Sequence, residues 1–369
     1  MDFSIIIPTR NEGTNVETVA DRILKTLGDP GSLEILFVDD STDDTPEILE
    51  RLSRRDSRVK YVHRQNGSGL GTAVLEGFRR AAGKWFIVMD ADLQHPPETL
   101  SDVIREIRKA EADIIIPSRF VPGGSDGGLS PWRKLVSWTA RSMARVLLSK
   151  VRPVTDPTSG FFAVRSDVAG SAELNPVGWK ILLEVLVRCR YSRVVELPYA
   201  FQARMQGDSK FNVKEQWHYL LHLLRLVRAS EADFRFWKFC MVGAGGVLVN
   251  FAVYVPLVKL GLSVGFAYAA ATLTAILNNF TWNNLLTWPH LKNDRLWYRM
   301  FKFFTVSLGG LAISSLAVTV SHDWLGLHYL ISGMLGIAIT TGWNFYLNNV
   351  WTFGGRAERA EGNAPQAKT

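Results

Sequence analysis

Phe86-Ile87-Val88-Met89-Asp90-Ala91-Asp92-Leu93-Gln94-His95-Pro96-Pro97 decides how the first half of this chain folds. Its apolar run reads as a buried strand, and the double proline behind it stops regular structure. Between them stand two carboxylates one residue apart, then an amide. Side chains at i and i+2 of a strand point the same way, so Asp90 and Asp92 share one small volume where strand gives way to loop. Acids that close repel unless a cation lies between them. A hard divalent cation, Mg²⁺ or Mn²⁺, accepts such oxygen ligands together with waters and substrate phosphates. The plain alternative is a turn with solvated aspartates.

The same pattern recurs on either side of this stretch. Phe3-Ser4-Ile5-Ile6-Ile7-Pro8 reads as a buried strand, Thr9-Arg10-Asn11-Glu12 as a polar loop, and Asn15 opens an amphipathic helix. Glu34-Ile35-Leu36-Phe37-Val38-Asp39-Asp40 is a second strand ending in two acids. Asp43 and Thr45 are candidate caps for the next helix, with Pro46 in its first turn. Val59–His63 is a third strand and Asp113–Arg119 a fifth. Gly67-Ser68-Gly69-Leu70-Gly71 lacks the dinucleotide-binding spacing and reads as a helix entry or a loop passing close to a ligand. Strands alternating with helices give an α/β fold with a mostly parallel sheet covered on both faces. Ligands bind such sheets beyond the carboxyl ends of the strands. The polar clusters after Pro8, Val38, Met89 and Pro117 all fall there, which gathers Glu12, Asp40, Asp90, Asp92 and Arg119 around one cleft.

Composition divides the chain. Residues 1–230 read as an α/β domain, whereas long apolar stretches dominate from Phe239 onward. The formal net charge of +7 arises from Lys and Arg spread along the chain and clustered beside the apolar stretches. That distribution fits a membrane surface and phosphorylated ligands, and not nucleic acid. Cys189 and Cys240 offer neither a disulfide framework nor metal-ligand spacing. The sequence opens directly into a strand with no cleavable signal peptide, so the catalytic half is expected in the cytoplasm.

Ile7-Pro8-Thr9-Arg10-Asn11-Glu12, Val38-Asp39-Asp40, the stretch Asp90–Pro97 and Ser118-Arg119-Phe120 resemble the family 2 glycosyltransferases of GT-A fold. Asp156-Pro157-Thr158-Ser159-Gly160-Phe161-Phe162 and the run Asn175–Glu184 resemble the dolichol-phosphate mannose synthase subgroup, and the likeness covers about residues 1–215. The resemblance implies that Pro8, Arg10, Glu12, Val38 and Asp40 line a nucleotide pocket. Asp90 and Ala91 would sit against the nucleotide, with Asp92 and Gln94 holding Mg²⁺ or Mn²⁺ on its diphosphate. It implies that Arg119, Arg133 and Ser137 hold an acceptor phosphate, and that Lys180, Arg204 and Lys210 complete a charged cleft. Asp92, Arg119 and Arg133 are then the catalytic candidates. Arg10 stands where relatives often carry an aromatic residue; an arginine plane can also stack on a base.

Trp132–Ser149 interleaves Trp132, Leu135, Val136, Trp138, Met143, Val146 and Leu147 with Arg133, Lys134, Arg141 and Arg145. It reads as a basic amphipathic helix at a membrane surface, and Phe211–Arg228 as a second. The alternative for each is a core-packed helix with a solvated basic face. Four spans are expected at about 239–258, 264–286, 303–322 and 329–351. Arg235, Lys238, Lys292, Arg295, Arg299, Lys302, Arg356 and Arg359 place both termini and the middle loop on the cytoplasmic side. The spans repeat: Lys238-Phe239 with Gly245-Gly246 matches Lys302-Phe303 with Gly309-Gly310. Asn279-Phe280, Asn283-Asn284 and Thr287-Trp288 match Asn344-Phe345, Asn348-Asn349 and Thr352-Phe353. The paired asparagines either bond across helices or contact a lipid headgroup. This half, 235–353, resembles the GtrA-like membrane domain associated with polyprenyl-linked sugars, and 354–369 reads as a disordered tail.

Together these residues predict an inverting glycosyltransferase that moves mannose from GDP-mannose to dolichyl or polyprenyl phosphate at a lipid bilayer. The alternatives are a polyprenyl-phosphate glucosyltransferase using UDP-glucose, and a lipid-sugar flippase or membrane scaffold. A processive polysaccharide synthase is disfavoured because no Gln-x-x-Arg-Trp run follows the core, and a nucleotidyltransferase because no glycine-rich basic loop follows the first strand.

Overall fold

The protein is described here by a computed structural model covering residues 1–28, 32–65, 69–128, 130–202, 213–289 and 295–354. The chain divides into two compact units, Met1–Glu231 and Ala232–Thr369.

In the first unit, β1 (Phe3–Thr9), α1 (Gly13–Leu27), β2 (Leu33–Asp39), α2 (Thr45–Arg55) and β3 (Val59–His63) alternate. They are followed by α3 (Leu70–Arg80), β4 (Trp85–Val88), α4 (Thr99–Arg108), β5 (Ile114–Ser118) and α5 (Pro131–Leu147). Next come β6 (Phe162–Arg165), α6 (Ser166–Ala169), α7 (Ile181–Arg188), β7 (Val194–Pro198) and α8 (Val213–Ala229). The strand order is β3-β2-β1-β4-β6-β5-β7. All pairings are parallel except those of β6, which runs against β4 and β5.

Every residue of β1 and of β2 is buried, which is why both read as continuous apolar runs and not as alternation. Helix α1 buries Val16, Val19, Ala20 and Ile23, the i, i+3, i+4, i+7 face that packs on the sheet. Each such aliphatic side chain contributes roughly 1.5–3 kcal/mol when fully buried. α2 begins at Thr45 with Pro46 in its first turn, and the Asp43 carboxylate accepts the Thr45 backbone N–H at 3.1 Å. α3 enters directly behind Gly69, and the Gly71 N–H donates to the Gly178 carbonyl at 3.2 Å; Gly67 and Ser68 lie outside the described residues. The five expected strands are present, and β6 and β7 extend the sheet beyond them. The chain leaves β1 toward β2 and β3 and then crosses back to β4. The order therefore reverses between β1 and β4, the place where an open α/β sheet opens a crevice.

The two expected surface helices differ. α5 leaves Trp132, Leu135, Trp138 and Val146 exposed and buries only Ala144. α8 exposes Trp217 and Leu224 but buries Tyr219, His222, Leu223, Leu226 and Val227 in its own unit.

The second unit contains α9 (Glu231–Lys259), α10 (Val264–Trp282), α11 (Leu296–Thr319) and α12 (Tyr329–Leu347), the last three running on into π-helical turns. Among the described residues, three helices are long and apolar enough to cross a membrane: Glu231–Lys259, Leu296–Trp324 and Tyr329–Thr352. The expectation of four is corrected to three on this measure. α10 falls short because Thr272, Thr274, Asn278, Asn279 and Thr281 dilute its apolar run. The duplication read from sequence is visible in contacts. A Cβ on Gly246 would collide with the Asn279 amide, and one on the equivalent Gly310 with the Asn344 amide. Lys238 Nζ donates to the Leu286 carbonyl at 2.7 Å, and the equivalent Lys302 to Trp351 at 3.0 Å. The equivalent rings of Trp288 and Phe353 stack on each other, 4.3 Å apart and 9° from parallel. Asn349 bonds across helices, accepting from Arg235 at 3.1 Å and from the Trp288 indole at 3.2 Å.

Candidate active site

The site is built on two polar groups at the carboxyl ends of the strands. The first follows β1 and β2. Pro8 and Val38 are buried in the strands themselves, and Arg10 is exposed. Asn11 takes a left-handed φ of 57°, donates its N–H to the Ser41 hydroxyl at 2.7 Å and accepts the Thr42 N–H at 2.9 Å. Glu12 is tied by its N–H to the Thr45 hydroxyl at 3.2 Å and by its carboxylate to the Asn15 amide at 2.6 Å. Asp40 is gripped on both oxygens by Arg64, at 2.7 and 2.6 Å, and Arg64 also donates to the Thr72 hydroxyl at 3.2 Å. Sequence reasoning named Asp40 and missed Arg64, which stands one residue past β3 on the same rim.

The second group follows β4. The Met89 N–H still donates to the Ile6 carbonyl at 3.2 Å, so the strand holds Asp90 at the rim. The turn is closed by Leu93 at φ 60°. Asp92 is almost fully buried, and its Oδ1 accepts the Gln94 N–H at 3.1 Å. Ala91 is buried beside it. His95 is buried among Phe161, Tyr199 and Phe201, and its Nδ1 accepts the Asp90 N–H at 3.1 Å. Burial pushes the His95 pKa down, against the pull of the Asp90 and Asp92 charges, so the ring is neutral and can accept. A Cβ on Gly160 would come within 2.9 Å of the Asp90 carboxylate, so the 156–160 turn approaches Asp90 more closely than any larger residue allows. Gln94 and Gln202 join through their backbones at 3.0 Å.

Opposite these acids lies a set of cations around one buried carboxylate. Arg119, one residue past β5, makes a bidentate pair with Asp156, Nε–Oδ2 at 2.7 Å and Nη2–Oδ1 at 3.0 Å. Asp156 is fully buried and Arg119 nearly so. Glu196 on β7 orients that turn by accepting the Thr155 and Asp156 N–H groups at 2.9 and 3.1 Å and the Thr155 hydroxyl at 2.7 Å. Lys180, the residue before α7, donates to the Thr158 carbonyl at 2.6 Å and lies 3.8 Å from the Trp179 ring centre. Burial first, then the Arg119 charge, pushes Lys180 down to about 8, while Asp156 and Asp90 pull it back. The Arg119 pKa is raised: burial acts against its charge, but the bonds and charge of Asp156 outweigh that. His95 and Lys180 both feel Asp90, Asp156 and Arg119, so the acids after β4 and the cations after β5 form one electrostatic cluster.

Arg133 is exposed in the first turn of α5, and Ser137 lies one turn further on. Two turns on, Arg141 reaches the cluster, with its guanidinium carbon 3.4 Å from the Phe120 ring centre and Nη1 donating to the Thr155 carbonyl at 3.2 Å. The signal for Arg141 was the i, i+4, i+8 spacing from Arg133 through Ser137. Arg204 and Lys210 lie outside the described residues.

Asp90, Asp92 and the Gln94 amide are hard oxygen donors of the type Mg²⁺ and Mn²⁺ accept. Among the described residues no group of three or more His, Cys, Asp or Glu side chains could hold a metal ion by itself. That donor set fits a cation whose remaining ligands are waters and a diphosphate.

Residues 4–170 match glycosyl transferase family 2, and residues 238–353 match the GtrA/DPMS transmembrane domain. The fold and the rim of acids thus define a glycosyltransferase joined to a membrane domain. A dolichol-phosphate mannosyltransferase of Pyrococcus furiosus is 39% identical over 348 residues, which is 94% of this chain and 98% of that one. The Saccharomyces cerevisiae dolichol-phosphate mannosyltransferase is 32% identical over 61% of this chain and 87% of its own. The chain belongs to the dolichol-phosphate mannosyltransferases of glycosyl transferase family 2. A glucosyl-3-phosphoglycerate synthase structure from Mycobacterium tuberculosis, in complex with Mn²⁺, UDP-glucose and phosphoglyceric acid, is a more distant likeness. It is 17% identical with a TM-score of 0.48, covering 61% of this chain and 79% of that one.

Proposed function

We propose that this chain transfers mannose from GDP-mannose to the phosphate of a dolichyl or other polyprenyl phosphate, with inversion at the anomeric carbon. One observation carries the reading: an acid pair suited to a metal diphosphate shares one electrostatic cluster with Arg119 and Lys180. The family membership supports it.

The residues divide the work. Glu12, Asp40 and the Arg10 plane are assigned to the nucleotide, with Pro8, Val38 and Ala91 forming the floor. Asp92 and Gln94 are assigned to Mg²⁺ or Mn²⁺, which when bound stabilises negative charge on the leaving diphosphate. Asp90 is kept in place by its N–H bond to neutral His95. The acceptor is a phosphate oxygen, already anionic near neutral pH, so it needs little general-base help. It needs orientation and charge, which Arg119 gives as a planar donor locked by Asp156 and Lys180 gives as a point charge. The phosphate oxygen bonds to the anomeric carbon as the bond from that carbon to the GDP oxygen breaks. Arg204 and Lys210 are assigned to the same charged cleft, and Arg133 and Ser137 to the acceptor side.

The exposed Trp132, Leu135, Trp138 and Val146 of α5, beside Arg133, Lys134 and Arg145, suit a bilayer surface, where indole rings settle at the headgroup level. The second unit anchors the enzyme in a bilayer through α9, α11 and α12, the helices long and apolar enough to cross it. Arg235, Lys238, Arg295, Arg299 and Lys302 at one set of helix ends assign that side, and the catalytic unit, to the cytoplasm. Purified chain incubated with one polyprenyl phosphate, Mn²⁺ and a panel of nucleotide-sugars tests this reading. GDP-mannose is expected to give the highest kcat/KM. Turnover of UDP-glucose alone would make the chain a glucosyltransferase, and turnover of none a scaffold or flippase.

A further inference from the structure

We propose that Arg141 touches the acceptor phosphate, as a further guanidinium of that subsite beside Arg119. The inference rests on the reading of the chain as a transferase to a lipid phosphate. Phe120 carries two arginines, Arg141 at 3.4 Å and Arg119 at 5.1 Å from its ring centre. Among the described residues Asp156 is the carboxylate that acts on both, and both of its oxygens are bonded to Arg119. Among the described residues no carboxylate pairs with Arg141. Its Nε is buried and has no hydrogen-bond partner. Burial, with the charges of Arg119 and Arg145, holds its pKa below the usual arginine value. Arg141 is half-buried and its Nη1 already donates to the Thr155 carbonyl, so the unmet donor is Nε, and an anion bound there relieves the cost of leaving it unbonded. A phosphate monoester carries close to two negative charges at neutral pH, more than Arg119 alone neutralises while it also pairs with Asp156.

The backbone around Arg141 is braced for this task. The Tyr219 hydroxyl of α8 donates to the Ala140 carbonyl at 2.7 Å, fixing α5 one residue before Arg141. On the same helix, His222 Nε2 lies 3.0 Å from Glu184 of α7, four residues after Lys180. α8 thereby braces α5, which carries Arg141, and α7, which Lys180 directly precedes.

Binding of farnesyl phosphate and of GDP with Mn²⁺ to the full-length chain in detergent, each followed by calorimetry, tests the assignment. Arg141→Gln is expected to weaken farnesyl phosphate about 10- to 100-fold, the range of one charge-assisted contact, and to leave GDP unaffected. Arg141→Lys is expected to recover only part of the loss, because charge returns without the planar fork. Unchanged farnesyl phosphate affinity in Arg141→Gln overturns the proposal, as does an equal or larger loss of GDP affinity, which would move Arg141 to the donor diphosphate. If Arg141→Gln does not fold, Arg141→Lys decides: weaker farnesyl phosphate binding at an unchanged melting temperature upholds the contact, and unchanged binding overturns it. Arg141-dependent binding in a wild-type chain that transfers no mannose refutes the proposed function and leaves the contact standing.

Discussion

Asp156→Asn removes one charge from the middle of the cluster and almost no volume. The wild-type carboxylate is fully buried and holds Arg119 through bonds of 2.7 and 3.0 Å. Without it Arg119 becomes a buried cation, with Lys180 and Arg141 close enough to repel it. Removing one partner of a buried pair costs about 3–5 kcal/mol. The amide keeps one oxygen as an acceptor, so the lower end, about 3 kcal/mol, applies. In a unit of this size, each kcal/mol moves the melting midpoint by about 2–4 °C, so a fall of about 6–12 °C is expected. Tryptophan fluorescence in detergent follows it. The double variant Arg119→Met, Asp156→Leu removes both charges and is expected to melt within about 1 kcal/mol of wild type, because an apolar pair of similar volume replaces a buried ion pair at little cost. That double variant is nevertheless expected to transfer no sugar. An Asp156→Asn midpoint within about 2 °C of wild type refutes the reasoning, as does a double variant no more stable than the single one.

Asp92→Ala is expected to leave the fold intact and to lower transfer at least 100-fold, the scale of losing a group that holds a charge-stabilising metal, which steady-state kinetics at saturating Mn²⁺ would show. Lys180 is cationic below about 8 and neutral above it, so kcat/KM is expected to fall as pH rises through about 8, and Lys180→Arg to remove that limb. The unfolded lysine titrates at its ordinary 10.5, so between about 8 and 10.5 the unfolded state binds more protons and stability rises with pH in that window. Melting curves of wild type and Lys180→Met across that range check the sign: the rise is expected to shrink in the variant.

Much of this architecture is legible in the residues, for identifiable reasons. β1, β2, β4 and β5 lie in the interior of a mostly parallel sheet, buried on both faces, and such strands announce themselves as unbroken apolar runs. β6 has four residues and runs antiparallel, and β7 is only partly buried, so neither carries that signature. The acid rim after β4 is local in sequence and could be read directly. The cation side is not local. Arg119 is visible at the end of β5, but its partner Asp156 is 37 residues away and Glu196 a further 40, and no periodicity links them. Arg133 and Arg141 occupy one helix at i and i+8, and sequence does not say which turn meets the cluster; the Phe120 ring and the Thr155 carbonyl select Arg141. His95 sits inside the deciding stretch, yet its role became readable only with Phe161, Tyr199 and Phe201 around it. In the second unit, period and length revealed the duplication, while the polar Asn278 and Asn279 made α10 fall short of its partners in apolar length.

The most direct measurement is analysis of the product. Purified full-length chain, GDP-mannose labelled in the sugar, Mn²⁺ and a polyprenyl phosphate are incubated, and the lipid extract is examined by mass spectrometry alongside the GDP released. One mannosyl phosphoryl lipid is expected for each GDP, with no product when divalent cations are chelated. GDP release matched by free mannose, or label reaching a lipid with a pyrophosphate or hydroxyl linkage, would rule out transfer to a lipid phosphate.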